Sequence, residues 1–188
     1  HYSKRTVDIQ YNFPHGFAEL WGIANRQQYD LTAHENASKA GLFYLEDDGK
    51  KIIPSVIEPS AGVERLFYAI CCDAYEEQQL ENDTRLVMHF NYELAPYKVA
   101  VLPLVNKLNE QAREVFNQII NKNISAAFDT TGSIGKRYRR QDAIGTYYCV
   151  TFDYDSLKDN CVTIRNRDTM KQERIKISEI INYLNNTK

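Results

Sequence analysis

The chain is short of the features that would place it outside ordinary globular proteins. Its 188 residues include only 8 glycines and 5 prolines, with no repeated tract, which excludes collagen-like and low-complexity architectures. Long apolar runs are also missing. The stretch from Val99 to Val105 is broken by Pro103 and falls far below the roughly 20 residues a membrane helix needs. Nothing near His1 has the basic, apolar, small-residue order of a signal peptide. A soluble, cytoplasmic protein is expected, and a start at His1 rather than Met fits a piece of a longer chain. Of the four cysteines, none forms a CxxC pair, and adjacent Cys71 and Cys72 lie in an apolar, helix-like run. No metal site built from Cys or His is therefore expected, and the thiols read as small buried groups in a reducing compartment.

What is present supports a sizeable core: 43% of residues are hydrophobic and 26% charged. The net charge of −2 conceals a division. Residues 1–97 hold 8 Lys and Arg against 15 Asp and Glu, whereas residues 98–188 hold 15 against 10. Two modules follow, of which the second better suits a polyanionic partner.

Alternation at Val7, Ile9 and Tyr11 and the run Phe17 to Ala24 predict two strands, followed by a helix from Thr32 to Lys39. Asp47-Asp48-Gly49-Lys50 has hairpin-turn chemistry and predicts an antiparallel pair of Leu42 to Leu45 with Ile52 to Ile57. Val63, Leu66, Phe67 and Ile70 recur at helical spacing, so a helix from Gly62 to Tyr75 with that face buried is expected. Polar Glu76 to Asp83, the segment Arg85 to Phe90 and a linker at Glu93 to Pro96 place a boundary between residues 95 and 96. Beyond it, strands at Lys98–Leu104, Ser125–Asp129, Tyr147–Phe152, Cys161–Arg165 and Glu173–Ile177 alternate with helices, one of them Asn109–Ile120 with Leu108, Ala112, Val115, Phe116 and Ile119 inward. Such alternation implies a mixed, partly parallel sheet covered on both faces.

Val56 to Arg65, VIEPSAGVER, is the stretch richest in chemistry. A strand delivers Glu58 and Ser60, Pro59 fixes the exit, and Gly62 opens a helix whose first turn ends in Arg65. Taken alone, the same residues also suit a surface salt bridge. The company they keep is more specific: the string resembles motif 3 of class II aminoacyl-tRNA synthetases, and FAELWGIANRQQYDLTAHENAS, Phe17 to Ser38, resembles the strand and helix that precede it in glycyl-tRNA synthetases. The resemblance implies that Glu58, Pro59, Ser60, Ala61 and Gly62 hold glycine. It implies that Glu19, Leu20, Gly62, Val63, Glu64 and Arg65 hold ATP, with Mg²⁺ expected beside the phosphates. Glu58 and Ser60 would give the amino-acid ammonium an anionic, oxygen-rich pocket, and the Arg65 guanidinium would clamp the triphosphate. His15 and His34 read as structural or surface residues, since adenylation of this kind needs positioned charge rather than a general base, and Trp21 reads as core or pocket wall.

In the second module Lys136, Arg137, Arg139 and Arg140 surround Tyr138 within five positions. Clustered cations favour a phosphate backbone through counterion release, and an aromatic among them can stack on an unstacked loop base. A solvated helix face partly neutralised by Asp142 would look similar. GSIGKRYRRQD, followed by IG and an apolar strand, resembles the anticodon-binding domain shared by several class II synthetases, and Cys161 to Ile180 resembles its hairpin and last helix. The resemblance implies that Lys136, Arg137, Tyr138, Arg139, Arg140 and Asp142 contact the anticodon, with Arg167 and Asp168, at that hairpin's tip, beside them. Ala143 departs from the family, which often has an acidic residue there.

The resemblance implies an α+β portion, the antiparallel-sheet end of a class II catalytic domain at residues 1–95. A three-layer α/β/α anticodon-binding domain would follow at 96–188. Glycine, ATP and glycine tRNA are the implied substrates and a homodimer the implied assembly, with neither DNA nor membrane as partner. Motifs 1 and 2 of the class are expected upstream, so that this polypeptide alone would be inactive. A non-enzymatic RNA-binding protein built from the same domains is the competing expectation.

Overall fold

The computed structural model describes residues 3–81 and 83–186; the outermost residues of the two expected segments, 1–2 and 187–188, lie outside it. Packing divides the chain into two compact units, His1–Cys72 and Asp73–Lys188.

In the first unit β1 (Arg5–Phe13) and β2 (Gly16–Gln27) form an antiparallel hairpin, with Ile9 opposite Trp21 and a bulge after Ile9. Helix α1 (Tyr29–Ser38) follows. The expected second hairpin is present but short, β3 (Tyr44–Leu45) against β4 (Lys51–Ile52), turning through Gly49 at φ +82°. The strand expected at Ile52–Ile57 is interrupted after Ile52, where Pro54 lacks an amide donor. It resumes as β5 (Val56–Ala61), which pairs with β2 to give the order β1-β2-β5. That edge position tolerates Pro59 within the strand.

Helix α2 (Val63–Ala74) forms as expected, but its predicted buried face does not. Val63, Phe67 and Ile70 are exposed and only Leu66 is half-buried, while Ala69 is buried. Helical periodicity identifies an apolar face, not what covers it. Among the described residues of this unit only Phe13 and Ala69 are fully buried apolar side chains, Phe13 stacking on Tyr68 at 5.2 Å between centroids.

The second unit opens with a hairpin, β6 (Tyr75–Gln79) against β7 (Thr84–Met88), in a stretch expected only to be polar and acidic. Then come β8 (Val99–Pro103), α3 (Asn109–Ile120), β9 (Ala126–Phe128), α4 (Ile134–Ile144), β10 (Tyr148–Phe152), α5 (Ser156–Asp159), β11 (Cys161–Asn166), β12 (Gln172–Lys176) and α6 (Ile180–Asn185). The sheet order is β12-β11-β10-β8-β9, with β8 parallel to β9 and β10, and β11 antiparallel to both its neighbours.

Strand alternation assigns the two faces. Val99 and Val101 pack with Leu108, Ala112, Val115 and Ile119 beneath α3, and with Ile180 and Leu184 of α6. Ala100, Leu102 and Cys149 face Ile134 and Tyr138 of α4. The three-layer mixed α/β/α architecture expected for this half is therefore present. Among the described residues no helix is long and apolar enough to cross a membrane.

Candidate functional site

Helix α4 carries the basic cluster, and its ends are locally determined. Ser133 accepts the Lys136 amide at the N-cap, and Gly145 ends the helix in the left-handed region at φ +80°. A side chain at Gly145 would place its Cβ 2.4 Å from the Phe90 ring. With 100° of rotation per residue, the cluster is split between the two sides of the helix.

The inward side takes Arg137, Gln141 and Asp142, all buried. Arg137 donates from Nε and Nη2 to the Gly132 carbonyl, at 3.1 and 2.8 Å, and from Nη1 to the Pro103 carbonyl. Asp142 is fully buried and accepts from Arg85 Nε at 2.8 Å and from Arg165 Nη1 and Nη2 at 2.8 and 3.0 Å. Arg85, also fully buried, reaches Gln78 Oε1 and the Arg167 carbonyl as well. Arg167 is 2% exposed, lies over the Tyr147 ring, and donates to the carbonyls of Gly145 and Phe90 and to Asp168. Arg137, Asp142 and Arg167, expected among the anticodon contacts, are thus interior groups that fix α4 and the β11–β12 turn. A buried guanidinium needs acceptors on each side, and these sites provide them.

Asp168 stands between Arg167 and His89, with Oδ1 2.6 Å from His89 Nδ1. Burial pushes its carboxyl up, but hydrogen bonds from Arg167 and His89 hold it below the ordinary aspartate range. Its side chain is 35% exposed.

The outward side of α4 presents Lys136, Arg139 and Arg140. Together with Tyr138, Gly135, Arg165 and Asp83 they line a concavity of about 680 Å³. Arg139 pairs with Asp83 and Arg140 with Asp129, at 2.9 and 2.7 Å, the first pair partly exposed and the second built on a largely buried Asp129. Burial pushes the Asp129 carboxyl up, yet the Thr131 amide and Arg140 hold it low. Tyr138 is half-buried: its hydroxyl bonds Thr151 at 2.6 Å and Arg165 lies 5.0 Å over its ring, so one ring face is occupied from within the protein. Burial raises the phenol pKa.

The motif-3-like segment lies in the first unit. Pairing of β2 with β5 sets Gly22 opposite Ser60, Trp21 opposite Ala61 and Ala24 opposite Glu58. Arg65 donates to the Glu19 carbonyl at 2.5 Å, joining two positions expected to hold ATP. The Glu19 carboxylate lies over Gly22, where an added Cβ would meet Oε1 at 3.4 Å. Glu58 is 3.3 Å from Arg26, which also binds Asp30 at 2.7 Å; that bond holds the Asp30 carboxyl below its ordinary range. Glu58, Pro59, Ser60, Ala61, Gly62, Val63, Glu64, Arg65 and Glu19 form an exposed row, with Leu20 half-buried. A Cβ on Gly62 would meet only Arg65, at 4.0 Å. Among the described residues no three His, Cys, Asp or Glu side chains gather as metal ligands.

Residues 98–187 match a family described as anticodon binding domain. The second unit therefore contains a module of that tRNA-reading class. Over 182 residues the chain is 63% identical to the glycine–tRNA ligase of Malacoplasma penetrans (strain HF-2), covering 96% of this chain and 39% of that protein. Against the glycine–tRNA ligases of Ureaplasma parvum serovar 3 and Clostridium beijerinckii identity is 59% over 189 and 54% over 185 residues, each covering 40% of the relative and 98% or 97% of this chain. The chain is homologous to these glycine–tRNA ligases over nearly its whole length and spans about two fifths of theirs. A crystal structure of the RNA binding domain of threonyl-tRNA synthetase from Cryptosporidium parvum Iowa II superposes with TM-score 0.70 at 20% identity, covering 97% of this chain and 42% of that one. At that identity the likeness is one of fold.

Proposed function

We propose that the chain is part of a cytoplasmic, homodimeric enzyme that attaches glycine to glycine tRNA, and that its second unit binds the anticodon arm through the outward side of α4. Residues 96–188 are the anticodon-binding domain in this reading and residues 1–95 the end of the catalytic domain. The carrying observation is the concavity edged by Lys136, Arg139 and Arg140, in a chain 52–63% identical to glycine–tRNA ligases across both halves. That identity disfavours a non-enzymatic accessory protein.

In the reaction the glycine carboxylate attacks the α-phosphorus of ATP and pyrophosphate leaves; a ribose hydroxyl of the tRNA then attacks the glycyl carbonyl and AMP leaves. Arg65, held beside Glu19, is the cation for the triphosphate, and Mg²⁺ brought with ATP would share the charge. Glu58 and Ser60, on one face of an edge strand, are the groups for the glycine ammonium. The deciding experiment is aminoacylation by the full-length enzyme with Arg65→Ala. We expect charging to fall by about 10²- to 10³-fold, the usual loss of one transition-state donor, while anticodon-arm binding stays unchanged. Wild-type charging by Arg65→Ala would reject the role of Arg65.

A further inference from the structure

The β6–β7 hairpin precedes the stretch that matches the anticodon-binding family, which begins at residue 98. It is nevertheless fastened to the basic helix. Arg85 of β7 is fully buried and binds Asp142 of α4 at 2.8 Å and Gln78 of β6 at 2.6 Å. Two residues earlier, the turn is closed by the Leu80 amide donating to the Asp83 carbonyl at 2.8 Å. The Asp83 side chain reaches the basic concavity, where Oδ2 accepts from Arg139 Nε at 3.0 Å and lies 2.9 Å from Nη2. A single anionic oxygen shared by two N–H groups of one guanidinium is also how a phosphate oxygen is bound. Both partners are partly exposed, at 56% and 37% of their side-chain surface. Such pairs contribute little to stability, so exchange for another anion costs little.

We propose that the β6–β7 hairpin is part of the RNA-facing surface, and that Asp83 occupies on Arg139 the position an RNA phosphate takes when the anticodon arm binds. The inference rests on the anticodon-binding reading. Its consequence has a definite sign: a built-in anion weakens RNA binding by the amount needed to displace it, and removing the anion strengthens binding.

The test is fluorescence anisotropy of a labelled glycine-tRNA anticodon stem-loop against the intact chain over a range of salt concentrations, with Asp83→Asn, Arg139→Gln and the double variant. Asp83→Asn should tighten binding about twofold to fivefold, the usual range for an exposed pair. The slope of log affinity against log salt should steepen by about 0.7 to 0.9, since one more cation now meets a phosphate. Arg139→Gln should weaken binding and abolish the effect of Asp83→Asn, because the two act through one contact. Asp83→Ser should reproduce Asp83→Asn. Unchanged or weaker binding by both Asp83 variants overturns the inference. Equal tightening with and without Arg139 also overturns it, since that is a general charge effect. No binding by the unsubstituted chain overturns the anticodon reading and this inference with it.

Discussion

Asp142 lies fully buried against the guanidinium groups of Arg85 and Arg165, and removing it leaves both cations without their shared anion. Breaking a buried charge pair by deleting one partner costs about 3–5 kcal/mol. Urea denaturation should therefore show Asp142→Ala destabilised by that order; a loss below about 1 kcal/mol would mean the cluster is not the anchor described. Arg137→Ala should likewise lower the unfolding midpoint, since its guanidinium bonds the carbonyls of Gly132 and Pro103. Acid stability turns on a different set. Hydrogen bonds from Arg174 hold Asp159 low, and for Asp153 they and Ser156 outweigh burial, which pushes it up. A carboxyl whose folded pKa is depressed stabilises the fold above its unfolded value of about 3.9 and loses that contribution as pH falls through the folded value. The unfolding free energy should accordingly fall below about pH 4, and fall less steeply in Arg174→Gln, as denaturation at stepped acid pH would show.

Among the elements, α4 is the most constrained. At its end Gly145 takes a left-handed conformation within van der Waals range of Phe90 and the Met88 carbonyl. Gly145→Ala adds both backbone strain and a clash, together about 1–3 kcal/mol, measurable as a lowered thermal midpoint; an unchanged midpoint would show that Phe90 yields freely. The same helix shows what the sequence carries and where reading it fails. A dense run of cations is the pattern that suits a phosphate backbone, but taking Lys136 to Arg140 as one patch ignores the turn of the helix. The spacing Ile134, Arg137 or Tyr138, Gln141 or Asp142 is itself an i, i+3, i+4 pattern, and it is this side that the structure buries. Arg85 and Asp83 left no such trace, because their partners lie 57 and 56 residues away. Strand β6 is hidden for another reason: its run of Glu and Gln side chains gives no apolar alternation, and even the half-buried Gln78 is polar. The strands of the large sheet were legible because β8 and β10 are buried on both faces and must be continuously apolar.

Over the whole molecule, an acidic first half precedes a basic second half that contains the match to the anticodon-binding family. The first unit exposes Val7, Ile9, Phe17 and Trp21 on its sheet and Phe67 on α2; the relatives are about two and a half times as long as the chain. Within α4, Lys136, Arg139 and Arg140 are the cations of the basic run that face outward. The measurement that bears most directly on this account is the salt dependence of anticodon stem-loop binding by the Lys136→Gln/Arg140→Gln double variant, read beside its urea midpoint. The account predicts weaker binding, a salt slope shallower by about 1 to 2, and a midpoint lowered far less than in Asp142→Ala. Affinity and slope equal to those of the unsubstituted chain would contradict it.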